Sequence, residues 1–254
     1  MPATEWGYLA TPEEFERWII HEDDRLLVVN KPGGLVCHPS KHGPWSSLIG
    51  AAREYLGLSR LHMPSRLDRE TSGAVVFAKT SEAASPLQTA IERGRVRKRY
   101  LAVLEGRLEA PVEVDQPLGP VPGAAVWCRQ GVRPEGRASR TTFEPLHSSG
   151  PFTVARVIPH TGRMHQIRAH AAWLGHPVVG DKIYGPDERL FLEFIRTGIS
   201  GSMLAVLKLP RHALHAAEIE FPGLPPFQTG WPDDLAGFCR DHALDWTGCE
   251  AHRT

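Results

Sequence analysis

In the stretch RLDRETSG, Arg66 to Gly73, one acid stands between two arginines and ahead of a Thr-Ser-Gly turn. A carboxylate so placed, Asp68, can be kept ionised by the neighbouring charges of Arg66 and Arg69 and partly shielded by the turn, which is what a nucleophile or general base requires. The same residues also suit a loop acid that caps a turn and pairs with a neighbouring arginine. Further along, Arg93, Arg95, Arg97, Lys98 and Arg99 form a basic run ahead of Tyr100, suited either to tracking phosphates or to solvating a surface. Cys239 with His242 and Cys249 with His252 make two Cys-x2-His pairs near the C-terminus, but the six residues between the pairs are fewer than ordinary zinc frameworks use. No metal site is assigned there. The chain has no GxGxxG, no GxxxxGKS/T, no GxSxG and no HExxH, so dinucleotide binding, P-loop hydrolysis, nucleophile-elbow hydrolysis and zincin proteolysis lack their usual carriers.

These side chains need elements to hold them. Arg25 to Asn30 (RLLVVN) is a short apolar run stopped by Lys31-Pro32-Gly33-Gly34, which predicts a buried strand ending in a tight turn. Ser46 to Gly57 has apolar residues at helical spacing, with Ser46 as N-cap and Gly57 as stop. Ala74 to Ala78 (AVVFA) predicts a second buried strand directly after the Asp68 turn. Thr80 to Arg93 predicts a helix, with Gly94 past its end, and YLAVLEG a strand that carries Tyr100. Pro111 to Gly136 is rich in proline and glycine and reads as a long loop or irregular hairpin bearing Arg129, Arg133 and Arg137. Thr141 to Leu146 and Phe152 to Pro159 alternate as strands do, and about Arg163 to Leu174 a helix places Met164, Ile167, Ala171 and Leu174 on one face. Strands and helices interleave without βαβ regularity, which favours an α+β fold over a doubly wound sheet.

With 254 residues, 41% of them hydrophobic and 23% charged, the chain can bury a core as one large domain or two small ones. We expect an acidic N-terminal segment over 1–25 and a single catalytic domain over 26–254, with an extended Pro-rich tail from about 221. No run approaches the ~18 apolar residues of a membrane span, and the N-terminus lacks a basic start followed by an apolar stretch. Four scattered cysteines do not form a disulfide framework, which favours a reducing cytoplasm. The formal net charge is zero, yet residues 1–25 and 216–254 each hold seven acids against two bases. The 25 bases and 15 acids left between them make the middle +10, a distribution compatible with a basic working face.

Four segments in this order closely resemble the RluA-type pseudouridine synthases: VVNKPGGLVCHP at Val28 to Pro39, RLDRETSG, KRYLA at Lys98 to Ala102, and HTGRMHQIRAHAAWLGHPVVGD at His160 to Asp181. With RHALHA at Arg211 to Ala216, the resemblance covers roughly Leu26 to Ala216. It implies an α+β fold with a mixed, mostly antiparallel central sheet, flanking helices and a catalytic cleft. It also implies isomerisation of a uridine in RNA to pseudouridine, without cofactor, metal or external energy source. By the same resemblance Asp68 is the catalytic residue and Tyr100 stacks on the base. Arg168 is placed to pair with the aspartate, Leu214 forms an apolar floor, and Arg66 fills the space vacated by the flipped nucleotide. Arg95, Arg97, Lys98 and Arg99 become a phosphate track, His165 and Gln166 support the site by hydrogen bonding, and Asp181 is structural. Ser65 departs from the histidine that many relatives carry, which bears on local RNA contacts. Only about 25 residues precede the first expected strand, so substrate selection is expected to fall to the catalytic domain. The expected partner is a structured RNA, a stem-loop of ribosomal or transfer RNA, with no membrane and no obligatory protein partner. One rival is a catalytically idle RNA-binding protein of the same fold. A carboxylate glycosidase is more remote, because Glu70 is too close to Asp68 to serve as its second acid.

Overall fold

The computed structural model describes all residues except 1, 2, 5, 6, 39–41 and 247–254. The first half of the chain runs Ala3–Thr4 (β1), Gly7–Tyr8 (β2), Pro12–Trp18 (α1), Ile19–Glu22 (β3), Leu26–Lys31 (β4), Leu48–Leu56 (α2), Ser72–Ala78 (β5), Ser81–Glu92 (α3) and Arg97–Glu105 (β6). Five strands follow: Val112–Asp115 (β7), Leu118–Pro120 (β8), Gln130–Val132 (β9), Arg140–Ser149 (β10) and Phe152–Pro159 (β11). The remainder comprises Gln166–Trp173 (α4), Arg189–Thr197 (α5), Gly201–Leu207 (α6), Leu214–Glu220 (β12), Phe227–Gln228 (β13) and Asp233–Asp241 (α7). Two compact units divide the chain: Met1–Lys98 with Ala216–Gly230, and Arg99–His215 with Trp231–Thr254.

In the first unit β3, β4 and β5 pair antiparallel, with Leu26 opposite Ala78 and Lys31 opposite Gly73. Both β4 and β5 read as unbroken apolar runs because both of their faces are covered. Leu27, Val29, Val75 and Phe77 pack with Phe15 of α1 and Leu48 and Ala52 of α2. Leu26, Val28, Ala74 and Val76 pack instead with Ala83, Leu87 and Ala90 of α3 and with Ile219 and Phe221. Side-chain caps fix where the helices begin. Thr11 and Glu14 make a reciprocal capping box on α1, and the Thr80 hydroxyl accepts the Ala83 amide at the start of α3. The cap of α2 is Ser47, one residue beyond the expected Ser46, which is spent in a 3-10 turn over Pro44–Ser46.

The second unit is built on an antiparallel meander in the order β6, β11, β10, β7. Its apolar cluster gathers Val103, Phe143, Phe152, Val154 and Val157 from the strands with Ile167 and Ala171 of α4 and Leu235 and Phe238 of α7. The Pro- and Gly-rich stretch is an irregular hairpin, in which β8 and β9 pair between Leu118 and Val132. Mostly antiparallel pairing with flanking helices agrees with the expected fold class. Helix α1 and strand β3 lie in the acidic N-terminal segment, and α7 follows the proline-rich stretch. In α7, Leu235, Phe238 and Cys239 recur at helical spacing and are buried, which outweighs the neighbouring prolines. Among the described residues no helix is long and apolar enough to cross a membrane.

Candidate active site

Asp68 sits in the loop between α2 and β5, and that loop is held through its main chain. The Leu67 carbonyl accepts the Cys37 thiol at 3.3 Å, and the Asp68 carbonyl accepts the Thr71 amide at 3.2 Å. The Arg69 carbonyl accepts both the Gly34 amide at 2.9 Å and the Lys31 ammonium at 3.0 Å. Lys31 is fully buried, and its Nζ also donates to Pro32 O and Leu35 O at 2.8 Å. A buried ammonium needs such a ring of acceptors, and here the ring ties the KPGG turn to the Asp68 loop. Arg69 returns the link, its Nε donating to Gly34 O at 3.2 Å. Burial pushes the Cys37 thiol up, so it stays protonated and able to donate. Asp68 itself is half-buried, while Arg66 is exposed with Nη1 2.6 Å from His38 Nε2.

The glycine that ends the motif has its own reason. Gly73 lies at φ +116°, and a Cβ there would stand 2.2 Å from the Ala216 carbonyl oxygen. Only glycine permits both the backbone conformation and the close approach. Ala216, the alanine that closes RHALHA, therefore meets the glycine of TSG near the start of β5.

Tyr100, Arg168 and Leu214 belong to the second unit. Tyr100 is half-buried, opposite Val157 in the β6–β11 register, and packs on the cluster that contains the buried Leu214. Arg168 is buried on α4 and grips Asp181 with two bonds, Nε to Oδ2 at 2.6 Å and Nη2 to Oδ1 at 2.9 Å. Asp181 Oδ1 also accepts the amides of Ile183 at 2.9 Å and Tyr184 at 3.0 Å. Burial alone pushes this carboxyl up, but the Arg168 charge and hydrogen bonds outweigh it and hold it well below the usual carboxylate range. Burial, aided by the Arg168 charge, keeps His212 neutral. The Tyr184 ring lies 5.1 Å from the Arg168 guanidinium, and its hydroxyl accepts the Gln130 amide at 2.8 Å and faces His165 Nδ1 at 3.0 Å. Gln166 donates to Arg140 O and Thr141 Oγ1 at 2.9 Å and accepts from Thr161 Oγ1 and the Arg163 amide. His165 and Gln166 are thus both engaged in hydrogen bonds within the second unit.

The basic run is not one continuous track. Arg93 and Arg95 stand exposed in the turn after α3, and Arg97, also exposed, lies 3.6 Å from Glu220. Inside β6 the side chains alternate, so Lys98 points to the opposite face from Arg97 and Arg99. Desolvation pulls the Lys98 pKa down. Sequence reasoning gave Lys31 and Gly34 only as parts of a tight turn, and Cys37 and His38 only as parts of a family match. At the C-terminus Cys239 is buried in the core and His242 packs on Phe238 at 4.3 Å, whereas Cys249 and His252 lie outside the described residues. Among the described residues no cluster of three potential metal ligands occurs.

Comparison with known proteins bears on the same segments. The family model described as RNA pseudouridylate synthase matches residues 25–173. Ribosomal large subunit pseudouridine synthase D of Nitrosomonas europaea is 35% identical over 229 residues, covering 86% of this chain and 63% of that protein. The protein of the same name from Yersinia pestis is 34% identical over 234 residues, covering 88% and 70%. This chain thus spans 63% to 70% of the length of these two relatives. The solved structure of human RNA pseudouridylate synthase domain containing 4 superposes with a TM-score of 0.72 at 25% identity, covering 92% of this chain and 96% of that one.

Proposed function

The chain belongs to the RNA pseudouridylate synthase family, and from that premise we propose that it isomerises uridines of structured RNA to pseudouridine with Asp68 as the catalytic residue. In this reaction the N1–C1′ bond breaks, the uracil turns, and C5 bonds to C1′. The C5 proton leaves and N1 gains one, so the atoms balance with no co-reactant. The observation that carries the assignment is the anchoring of three successive carbonyls, Leu67, Asp68 and Arg69, around a half-buried carboxylate. A nucleophile or base gains most from being held in place before the substrate arrives.

A stacked uracil exposes neither C1′ nor C6 to a side chain, so it must be extruded at a cost of a few kcal/mol. Arg66, exposed beside His38, is assigned to fill the gap it leaves. Tyr100 is assigned to stack on the base, and Leu214, with almost no exposed surface, backs that seat from within the core. Arg168, held in one orientation by Asp181, supplies a fixed positive charge. Arg95, Arg97, Lys98 and Arg99 are assigned to phosphates. Because the two relatives carry the name ribosomal large subunit pseudouridine synthase, we put a stem-loop of large-subunit ribosomal RNA first among substrates, ahead of transfer RNA. We assign the protein to the cytoplasm on its scattered cysteines.

The test is Asp68→Asn, which keeps size and removes charge. Tritium release from C5-labelled uridine in RNA should vanish while RNA affinity stays within a few-fold. Activity within tenfold of the parent would remove Asp68 from the chemistry, and a parent protein that binds RNA without releasing tritium would favour the idle RNA-binding reading. Mapping pseudouridines in matched cells with and without the gene names the RNA.

A further inference from the structure

Within the first unit a cavity of about 400 Å³ opens along α3. It lies at the far end of the β4–β5 strand pair from the Asp68 loop. Leu26 in its wall pairs with Ala78, whereas Lys31, which binds the Arg69 carbonyl, pairs with Gly73. Five residues of strand at about 3.3 Å each separate the two ends by roughly 17 Å.

The floor is apolar. Leu26, Leu87, Ala90 and Phe221 are buried there, and Leu224 is half-buried at the lip. The rim carries three exposed arginines from two elements: Arg25 at the start of β4, and Arg93 and Arg95 in the turn that closes α3. That turn is fixed by Gly94 at φ +62° and by bonds from the Gly94 amide to Ile91 O at 3.0 Å and the Arg95 amide to Ala90 O at 2.9 Å. The single acid in the lining, Asp23, is already engaged. Its Oδ1 accepts the Arg25 and Leu26 amides at 2.7 Å, and its Oδ2 faces His21 Nε2 at 3.0 Å. Among the described residues none of the three guanidinium groups is in an ion pair. Like charges gathered on one rim repel, and an anion bound among them relieves the repulsion.

We infer that this cavity seats one nucleotide of the RNA chain other than the reacting uridine, its base on the apolar floor and its flanking phosphates on Arg25, Arg93 and Arg95. The volume falls within the roughly 300–1,000 Å³ of small-ligand sites. At about 3.4 Å per stacked nucleotide, the length of this strand pair corresponds to some five nucleotides between this seat and the target. The inference rests on the RNA reading above and adds a second contact that helps choose which uridine is modified.

The probe is a fluorescein-labelled oligouridylate of about 12 residues carrying 4-thiouridine, since single-stranded sites span roughly 4–16 nucleotides. Thr89→Trp fills the half-buried lining while leaving every arginine in place. It should weaken binding about tenfold with the salt slope unchanged, whereas Arg25→Ala and Arg93→Ala should each flatten the slope by up to about 0.7. Cross-links from the parent protein should map to peptides within 83–95 or 221–224. Thermal melts confirm that each variant is folded. The arginine variants and the cross-link map keep the test decisive even if the tryptophan variant does not fold. Unchanged affinity in folded Thr89→Trp, cross-links only elsewhere, or an acidic peptide that occupies the cavity in place of RNA would each overturn the inference. A protein that isomerises uridine but ignores these substitutions keeps its proposed function and loses this seat. One that binds RNA here but never releases tritium keeps the seat and loses the function.

Discussion

Replacing Asp181 with asparagine should be among the most damaging single changes in the second unit. The wild-type carboxylate is wholly buried and the Arg168 side chain is 6% exposed, so the pair lies out of reach of screening water. Asparagine can still offer an oxygen to the Ile183 and Tyr184 amides, but its NH2 then faces Arg168 Nε at what was a 2.6 Å contact, donor against donor. A buried guanidinium left without its counter-charge costs about 3–5 kcal/mol. At roughly 2–4 °C per kcal/mol for a chain of this size, the melting temperature should fall by about 6–20 °C. Calorimetry with matched urea titrations measures this directly. The pH course carries its own sign. The folded Asp181 carboxyl lies below its unfolded value of about 3.9, so its stabilisation is fully present above that value and is lost as the pH falls through the folded one. The gap between parent and Asp181→Asn should therefore hold steady from neutrality to about pH 5 and close only below about pH 4. Combining Arg168→Met with Asp181→Asn should recover part of the loss, because the guanidinium is gone while the asparagine oxygen still accepts the Ile183 and Tyr184 amides. A single-variant cost under about 1 kcal/mol, or a double variant as unstable as the single, would refute the argument.

Arg66→Ala should slow single-turnover isomerisation most on a native stem-loop and least on one loosened around the target. The deficit should shrink by about an order of magnitude if roughly 1–2 kcal/mol of extrusion is at stake; equal deficits would exclude the gap-filling role. Converting Arg95, Arg97 and Arg99 to alanine together should weaken RNA binding regardless of sequence and flatten the salt dependence by up to about 0.7–0.9 per lost phosphate contact. Superimposable salt plots would assign those side chains to solvent. Dialysis against a chelator should leave tritium release unchanged while the RNA stays folded, and loss restored specifically by zinc would bring Cys239, His242, Cys249 and His252 into play.

The parts of the fold legible in the sequence are those where one physical rule dominates. β4 and β5 stand out because burial on both faces leaves few polar interruptions, and β11 because its residues alternate as strands do. Helices α5 and α6 were passed over, although Leu190, Phe191 and Phe194 recur at helical spacing in α5 and Met203 and Leu207 lie buried four apart in α6; each is only about two turns long. At the site, Asp68 was singled out by its charged neighbours and given a role only by the resemblance, whereas Lys31 was not singled out. A lysine before Pro-Gly-Gly looks like a solvated turn, and its burial depends on carbonyls brought from 38 residues away. Asp181 came out only as a structural residue of the resemblance, since its tie to Arg168 closes across the rest of α4 and the irregular chain that follows it.

The loop of Asp68 is moored by its peptide groups, and this separates two kinds of change that a lineage can accumulate. Side chains at Ser65 and Arg66 hang from a scaffold that does not consult them, so either can be exchanged while the acid keeps its place. A single codon deleted between them and Thr71 slides every carbonyl past its mooring at once. The side chains of this segment are free to drift by substitution, and its length is not.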